Sequence, residues 1–293
     1  MNLFMTHTDT PYRLYQEKLH LSSSKLHCSK TALASFERAD VVFAFWSHDG
    51  LSDEEAWHTY LAMQDNFSRE LPSLPPSVHP IYAIEDARML GTDTERRFDI
   101  LLSHGVKVLT PLWRGESVVG GAYDTDTGLA PKGVEICASS LARGMTLDIS
   151  HASEASAQDM VHLAKSYGMP VIASHSNFFS VYPHRRNLTD HLAKEVAYCG
   201  GIIGLSFVPS HLGEAGTVED LICHIEHGIS LGLEDHLVLG TDYDGTDTLP
   251  EGISHGAQDL HPLYDRLLKT GFSKQFLEKL FYRNASAFFG HLQ

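Results

Sequence analysis

The sequence predicts an α/β protein folded as a closed (β/α)8, or TIM, barrel. Eight short apolar runs typical of strands recur along the chain, at residues 3–6, 41–45, 81–84, 106–110, 145–149, 171–173, 202–207 and 237–239. Segments with helical patterns lie between them. Eight strands that alternate with helices indicate parallel βα units, and eight units in 293 residues fit a closed barrel better than the alternative, a doubly wound open sheet.

Two of the connecting segments show the helical pattern most clearly. Residues 156–167 repeat apolar side chains on one face, and Gly168 and Pro170 follow as a stop. Residues 217–232 begin with Thr217 and Asp220, which have the spacing of a capping box. Because the chain shows no repeat of fixed period and no interdomain linker, we expect a single domain over residues 1–293.

Composition and charge exclude several classes of protein. The chain carries 37 acidic and 22 basic residues, a formal net charge of -15, so most of its surface would repel nucleic acid. Four widely spaced cysteines without a C-x-x-C pair indicate neither a disulfide framework nor a thiolate zinc site. The sequence also lacks a signal-peptide pattern and an apolar stretch long enough to span a membrane. These features and the unpaired cysteine pattern predict a cytoplasmic protein with no membrane partner.

Side chains that commonly bind metals recur at the ends of the predicted strands. They follow the first, third, fifth, sixth and eighth strand candidates, and they are His7, Asp9, Glu85, His151, His175 and Asp242. In a closed barrel the carboxyl ends of the strands share one face, where the catalytic residues of such barrels lie. The pattern therefore predicts a metal site at the C-terminal ends of the strands.

The spacing of His7 and Asp9 supports this prediction. Residues two apart on a strand point to the same side, so both side chains can bind one ion. Such a pair alone is more often part of a surface turn, and the joint placement of all the candidates reverses these odds. Imidazole and carboxylate ligands without thiolates favour zinc or another divalent transition metal in a catalytic site. Glu85 is the natural bridge between two ions, which would make a hydroxide available at neutral pH.

Four sequence blocks follow one another along the second half of the chain: MTLDISH at residues 145–151, PVIASHSN at 170–177, RRN at 185–187 and GTDYDG at 240–245. In their order and spacing they resemble the membrane dipeptidase family, peptidase family M19. His7 and Asp9, and then Ile84 and Glu85, resemble the first two ligand blocks of the family. The resemblance covers nearly the whole chain and implies a zinc-dependent dipeptidase with two metal ions.

The resemblance also implies how the site residues divide the work. The five metal ligands would serve two ions, with His7, Asp9 and Glu85 on one, and Glu85, His151 and His175 on the other. Asp242 would accept the proton of the bridging water and later pass it to the leaving amine. Glu85 and Asp242 are thus the predicted catalytic carboxylates.

Other positions carry predictions of their own. Arg186 would bind the carboxylate terminus of the dipeptide, although Arg185 and Arg186 also fit a pair of solvated loop arginines. Asp244 is expected in a turn or behind the ligands. Trp113 stands where mammalian members of the family have a substrate-binding histidine, and Asp86 stands where a glycine usually follows the bridging glutamate. Since indole donates one hydrogen bond and can neither accept one nor carry a proton, Trp113 cannot replace that histidine in either role.

The sequence therefore predicts hydrolysis of dipeptides that carry a free C-terminal carboxylate, through a metal-bridging hydroxide. Two alternatives stay open: a related barrel amidohydrolase that acts on another amide or a lactam, and a non-catalytic metal-binding homologue. Arg186 discriminates among the enzymes, because a free carboxylate needs it and a neutral lactam does not. The expected partner is a small dipeptide, and a homodimer is usual for the family.

Overall fold

The computed structural model describes residues 1–290 and contains eight parallel strands in one sheet. The strands are β1 (Asn2–Thr8), β2 (Arg38–Trp46), β3 (Val78–Glu85), β4 (Val106–Thr110), β5 (Thr146–Asp148), β6 (Val171–Ile172), β7 (Ile203–Leu205) and β8 (Leu237–Leu239). All eight predicted runs fall on these strands, with ends that differ by a few residues. The later strands are the shortest because their inner positions soon pass into the loops that carry the site.

The strands close into a barrel. Their order in the sheet is β6-β5-β4-β3-β2-β1-β8-β7, so the two edges are β6 and β7. A parallel bridge between Ala173, just after β6, and Ile203 joins these edges. The predicted (β/α)8 barrel is confirmed, and the open doubly wound sheet is wrong, because an open sheet would leave both edge strands unpaired.

Helices surround the barrel and connect its strands. They are α1 (Thr10–Glu17), α2 (Lys30–Leu33), α3 (Asp53–Glu70), α4 (Thr94–Ser103), α5 (Pro131–Ala142), α6 (Glu154–Ser166), α7 (Asp190–Tyr198), α8 (Pro209–Leu212), α9 (Val218–Ser230), α10 (Leu260–Thr270), α11 (Lys274–Glu278) and α12 (Asn284–Gly290). The two helical patterns of the sequence correspond to α6 and α9. Thr217 caps α9, and the side chain of Asp220 completes the predicted capping box.

The lower interior of the barrel, near the amino-terminal ends of the strands, is apolar. Its residues come from seven strands or their first residues and from α12: Phe4, Val42, Ala44, Ala83, Val108, Ile172, Ile202, Val238, Ala285, Phe288 and Phe289. Phe289 stacks on Phe4 with ring centroids 5.1 Å apart, so α12 covers the lower opening of the barrel. Burial of these side chains stabilises the barrel without any polar contact.

The upper interior, one layer closer to the carboxyl ends of the strands, is polar. Its buried residues are Thr6, Thr110, Asp148 and Ser174. The Thr6 hydroxyl lies 2.7 Å from the carbonyl oxygen of Ser174, a contact that crosses the barrel from β1 to the end of β6. This layer supports the side chains of the candidate site directly above it.

Candidate metal centre

The predicted metal ligands meet at the carboxyl ends of the strands. His7 comes from β1 and Glu85 from the end of β3, while Asp9, His151 and His175 lie just after β1, β5 and β6. The side chains of His7, Asp9, Glu85 and His175 are at most 6% exposed, and that of His151 is 11% exposed. Five ligand-type side chains are therefore withdrawn from water at one point.

Glu85 lies at the centre of this cluster. Its Oε1 atom is 2.9 Å from Nε2 of His151 and 3.5 Å from Nε2 of His175, whereas Oε2 is 3.5 Å from Nε2 of His7. The two oxygens of one carboxylate thus face different imidazoles, and the ring of His7 lies 3.8 Å from that of His175. This is the arrangement that a carboxylate bridging two ions requires.

A second group of ligand atoms surrounds His7. Its Nε2 atom lies 3.4 Å from Oδ2 of Asp9 and 3.9 Å from Oδ1 of Asp242. Gly245 makes this approach possible, because a Cβ atom at this position would lie 2.2 Å from Oδ2 of Asp9 and 2.6 Å from Oδ1 of Asp242. Asp242 is therefore close enough to act on whatever His7 and Asp9 bind.

The hydrogen bonds of His151 indicate that a cation belongs here. Its Nδ1 atom is 2.9 Å from the carbonyl oxygen of Trp113, which can only accept, so the proton of a neutral His151 is on Nδ1. The bare Nε2 atom then faces a carboxylate oxygen of Glu85 at 2.9 Å, and both atoms are acceptors. In addition, Nε2 of His7 and Oδ1 of Asp9 are buried without a hydrogen-bond partner among residues 1–290. Divalent ions would satisfy all of these atoms.

The electrostatics of the site agree with this geometry. Burial lowers the pKa of His7, but the carboxylates of Glu85 and Asp9 outweigh burial and hold this pKa well above its usual value. Burial raises the pKa of Glu85, and the imidazoles of His7 and His151 lower it by more, so that Glu85 stays ionised. The carboxylates that raise the pKa of His7 mark this point as one that attracts positive charge.

The site opens into a cavity of about 360 Å³ with one aromatic wall. The ring of Tyr12 lies 4.6 Å from the ring of Trp46, which in turn lies 4.7 Å from that of Trp113. Glu85, His151 and Asp242 line the same cavity. Trp113 therefore lies at the site as predicted, with its backbone holding His151 and its indole in the wall. Its predicted contact with substrate stays a prediction.

A smaller cavity, of about 160 Å³, lies on the other side of His151 and contains Arg186. The Arg186 guanidinium is buried, donates from Nη2 to the carbonyl oxygen of His175 at 3.2 Å, and lies 5.7 Å from the ring centre of Tyr123. Burial lowers the pKa of Arg186, while Asp242 and Glu85 oppose this effect. Arg185 also lines this cavity, but its exposed guanidinium is already paired with Asp126, whereas that of Arg186 is buried.

Several strand-end residues of the site adopt left-handed backbone conformations. The φ angles of Asp86, His151, Asp242 and Asp244 are 74°, 67°, 58° and 66°. Asp244 does not face the ligands, because its carboxylate accepts hydrogen bonds from the Thr10 hydroxyl and a backbone N–H. It lies behind the ligands, as expected. Asp86 is buried beside Arg88, and burial raises its pKa to about 6.

Sequence reasoning missed the residues that surround the ligands. They are Tyr12, Trp46, Tyr123, Asp148 and Ser174. Trp46 ends a strand and Ser174 directly precedes a candidate ligand, so their positions at strand ends could have indicated that they lie near the site. Tyr12 on α1 and Tyr123 in a long loop show no such signal, because only the folded loops bring them to the cavities.

A closed barrel with buried imidazoles and carboxylates at its strand ends is an arrangement typical of metal-dependent hydrolases. The model of the family described as "Membrane dipeptidase (Peptidase family M19)" matches residues 78–291. The chain belongs to this family, and is therefore a peptidase hydrolase of the metal-dependent type. The predicted family is confirmed.

Individual relatives agree with this assignment. An uncharacterized protein in the pqqA 5' region of Klebsiella pneumoniae is 32% identical over 209 residues, which are 66% of this chain and 75% of the relative. Dipeptidase tcpJ of Claviceps purpurea is 34% identical over 158 residues, 52% of this chain and 36% of the relative. The matched region thus spans about a third of the fungal protein.

Solved structures share the fold. A metallopeptidase from Rhodobacter sphaeroides, liganded with a phosphinate mimic of the dipeptide L-Ala-D-Ala, aligns with a TM-score of 0.88 at 23% identity and covers 100% of this chain and 98% of its own. A structure described as the dipeptidase AC of family M19 aligns equally well at 24% identity.

Within residues 1–290, helices are too short or too polar to cross a bilayer.

Proposed function

We propose that this chain hydrolyses dipeptides with a free C-terminal carboxylate and that two divalent metal ions, best matched by zinc, take part. The observation that carries the proposal is the orientation of the Glu85 carboxylate, whose Oε1 atom faces His151 and whose Oε2 atom faces His7. A ligand set of imidazoles and carboxylates without thiolates suits catalytic zinc. His7, Asp9 and Glu85 would hold one ion, and Glu85, His151 and His175 the other.

The protein residues around the ions have separable tasks. When bound, the ions supply a nucleophile from water at neutral pH and polarise the scissile carbonyl. Asp242, whose Oδ1 atom lies 3.9 Å from Nε2 of His7, would accept the proton of the attacking water and return it to the leaving amine. The buried walls of the site exclude other water and strengthen these electrostatic contacts.

The two cavities suggest how a dipeptide lies across the site. Arg186 in the smaller cavity would bind the terminal carboxylate, because its guanidinium is buried and no carboxylate of residues 1–290 forms an ion pair with it within 4.0 Å. The amino-terminal residue would then extend into the larger cavity, with its side chain against Tyr12, Trp46 and Trp113. A lactam or other neutral amide would leave Arg186 without a partner, so the dipeptide is the better match.

The test is hydrolysis of a dipeptide panel by the purified protein. The panel includes L-Ala-L-Ala, L-Ala-D-Ala (since the Rhodobacter sphaeroides neighbour carries a mimic of it), dipeptides with an aromatic amino-terminal residue, and their C-terminally amidated forms. We expect free dipeptides to be cleaved, amidated ones to be poor substrates, and a chelator to abolish cleavage until zinc is restored. Full activity after metal removal would contradict the metal-dependent mechanism. Equal cleavage of free and amidated dipeptides would favour the amidohydrolase alternative. A protein that binds metal and cleaves no dipeptide would favour the non-catalytic alternative.

The location and assembly of the chain stay predictions. The cytoplasm and a homodimer are the expectations from the sequence and from the family resemblance. Neither changes the geometry on which the proposed reaction depends, since all of the proposed ligands lie within one chain.

A further inference from the structure

A buried carboxylate lies directly beneath the metal ligands. Asp148 is the last residue of β5 and has no exposed surface. Its Oδ1 atom accepts the backbone N–H groups of Ser150 at 2.9 Å and Ser174 at 2.8 Å. Its Oδ2 atom accepts the hydroxyls of Thr110, at 2.7 Å, and of Ser174. Each oxygen of the Asp148 carboxylate thus accepts from two neutral donors.

The chemistry of these groups determines the direction of every hydrogen bond. An ionised carboxylate can only accept, so the Ser174 hydroxyl donates its single proton to Asp148. The oxygen of Ser174 is then an acceptor for its remaining neighbours. These neighbours are Nδ1 of His175 at 2.7 Å and Nδ1 of His7 at 3.4 Å. Both imidazoles must therefore carry a proton on Nδ1.

The consequence reaches the metal centre. With Nδ1 protonated, the Nε2 atom of a neutral imidazole has a free lone pair, and in both histidines Nε2 is the atom that faces Glu85. Only this tautomer can bind an ion at Nε2. His151 reaches the same state by another route, because its Nδ1 atom donates to the carbonyl of Trp113.

We propose that Asp148, acting through Ser174, is a positioning residue that fixes the metal-binding tautomer of His175 and, more weakly, of His7. The inference rests on the metal site of the proposed function, and it concerns residues that touch neither the ions nor the substrate. Supporting residues of this kind typically change metal affinity by about 10-fold to 100-fold when they are replaced.

Asp148→Asn is the decisive variant, since it keeps the shape of the side chain and reverses the direction of its hydrogen bond with the Ser174 hydroxyl. Two backbone N–H groups face the Oδ1 position, so the amide oxygen must take that place and the amide N–H2 group must face Ser174. The Ser174 hydroxyl would then accept from Asn and donate to Nδ1 of His175. This moves the proton of His175 to Nε2, where it blocks the metal. We expect zinc affinity to fall by about 10-fold to 100-fold.

Thr110→Val is the matched control. It removes the other hydroxyl from the same Oδ2 atom and leaves the contact between Ser174 and His175 intact. We expect the thermal stability to fall and zinc affinity to stay as in the parent. The measurement is competition for zinc against a chromophoric chelator, with circular dichroism to verify folding.

The tautomer itself can be observed by nitrogen NMR of the full chain with labelled histidines at pH 8, before and after zinc addition. We expect the Nδ1–H form of His175 in the parent and the Nε2–H form in zinc-free Asp148→Asn. If Asp148→Asn does not fold, Ser174→Ala tests the same step, because it removes the acceptor of His175, and weaker zinc binding is expected.

The proposal is overturned if folded Asp148→Asn binds zinc as tightly as the parent and keeps the Nδ1–H form, or if Ser174→Ala binds zinc unchanged. These readouts do not depend on hydrolysis. A chain that cleaves no dipeptide and still shows the loss of zinc affinity would refute the proposed function and support the role of Asp148.

Discussion

The lower and upper interiors of this barrel are built from the same strands and obey opposite rules. In β3, Ala83 belongs to the apolar layer and Glu85, two residues further on, lies at the centre of the candidate metal site. In β4, Val108 and Thr110 stand in the same relation. Alternation along a strand puts both members of each pair inside the barrel. The lower layer stabilises the fold by burial, whereas the polar groups of the upper layer lose water and depend on their hydrogen bonds to offset that cost.

The loops at the two ends differ in the same way. At the lower end, left-handed residues that precede strands are glycines, for example Gly105 before β4 and Gly168 before β6, and a Cβ atom there would meet at most the ring of Tyr82, 3.8 Å from that of Gly105. At the upper end, the left-handed residues that carry a side chain include Asp86, His151, Asp242 and Asp244. A left-handed residue with a side chain costs about 1–3 kcal/mol and persists where its surroundings determine it. The upper end therefore stores strain where the lower end avoids it.

The largest expected effect comes from the upper end. Glu85→Gln removes the charge that both imidazole groups face, so we expect loss of at least one ion per chain and a fall in kcat/KM of about 10³-fold. Metal analysis and dipeptide hydrolysis measure the two effects. Asp40→Asn is the control, because Asp40 is also buried but pairs with Arg38 near the lower end, at 2.6 and 2.8 Å. Unchanged metal content in Glu85→Gln would remove Glu85 from the site.

The lower end should respond in stability and not in activity. Phe4→Ala leaves a cavity beneath Phe289, and replacing a buried phenylalanine by alanine costs about 3–5 kcal/mol of unfolding free energy. Denaturant unfolding measures this loss. Below the unfolding transition we expect kcat/KM and metal content as in the parent. A large loss of activity in the folded variant would show that the two layers are coupled and would break the distinction between them.

The smallest of the three effects is expected from the smaller cavity beside the candidate metal centre. Arg186→Ala removes charge-assisted hydrogen bonds of roughly 1.5–3 kcal/mol each, so we expect kcat/KM for free dipeptides to fall about tenfold to a few hundredfold, mainly through KM. Amidated dipeptides lack the charge and should be handicapped much less. Arg185→Ala is the matched control, since that side chain is exposed and pairs with Asp126. If Arg186→Ala affected neither substrate, the carboxylate-binding role of Arg186 would be wrong.

Much of this protein could be inferred from the sequence, because local patterns determine it. Strands such as β4 and β8 were predicted to the residue, since each is a short apolar run that ends at a glycine or a proline, Pro111 after β4 and Gly240 after β8. The meeting of the candidate ligands at one point also followed, because parallel strands in a barrel put their carboxyl ends on one face. The ends of β5 and β7 were predicted too far along the chain, since apolar character continues after the ladder has ended.

The tertiary structure alone decided how the residues act together. That Glu85 directs one oxygen to His7 and the other to His151 depends on the closure of the sheet, and not on any spacing. The aromatic wall and the hydrogen bonds from Asp148 through Ser174 to His175 likewise join separate segments of the chain. A sequence records which side chains stand at the strand ends. The distances between these side chains, and the nitrogen on which a histidine carries its proton, depend on packing across the barrel, to which every strand contributes.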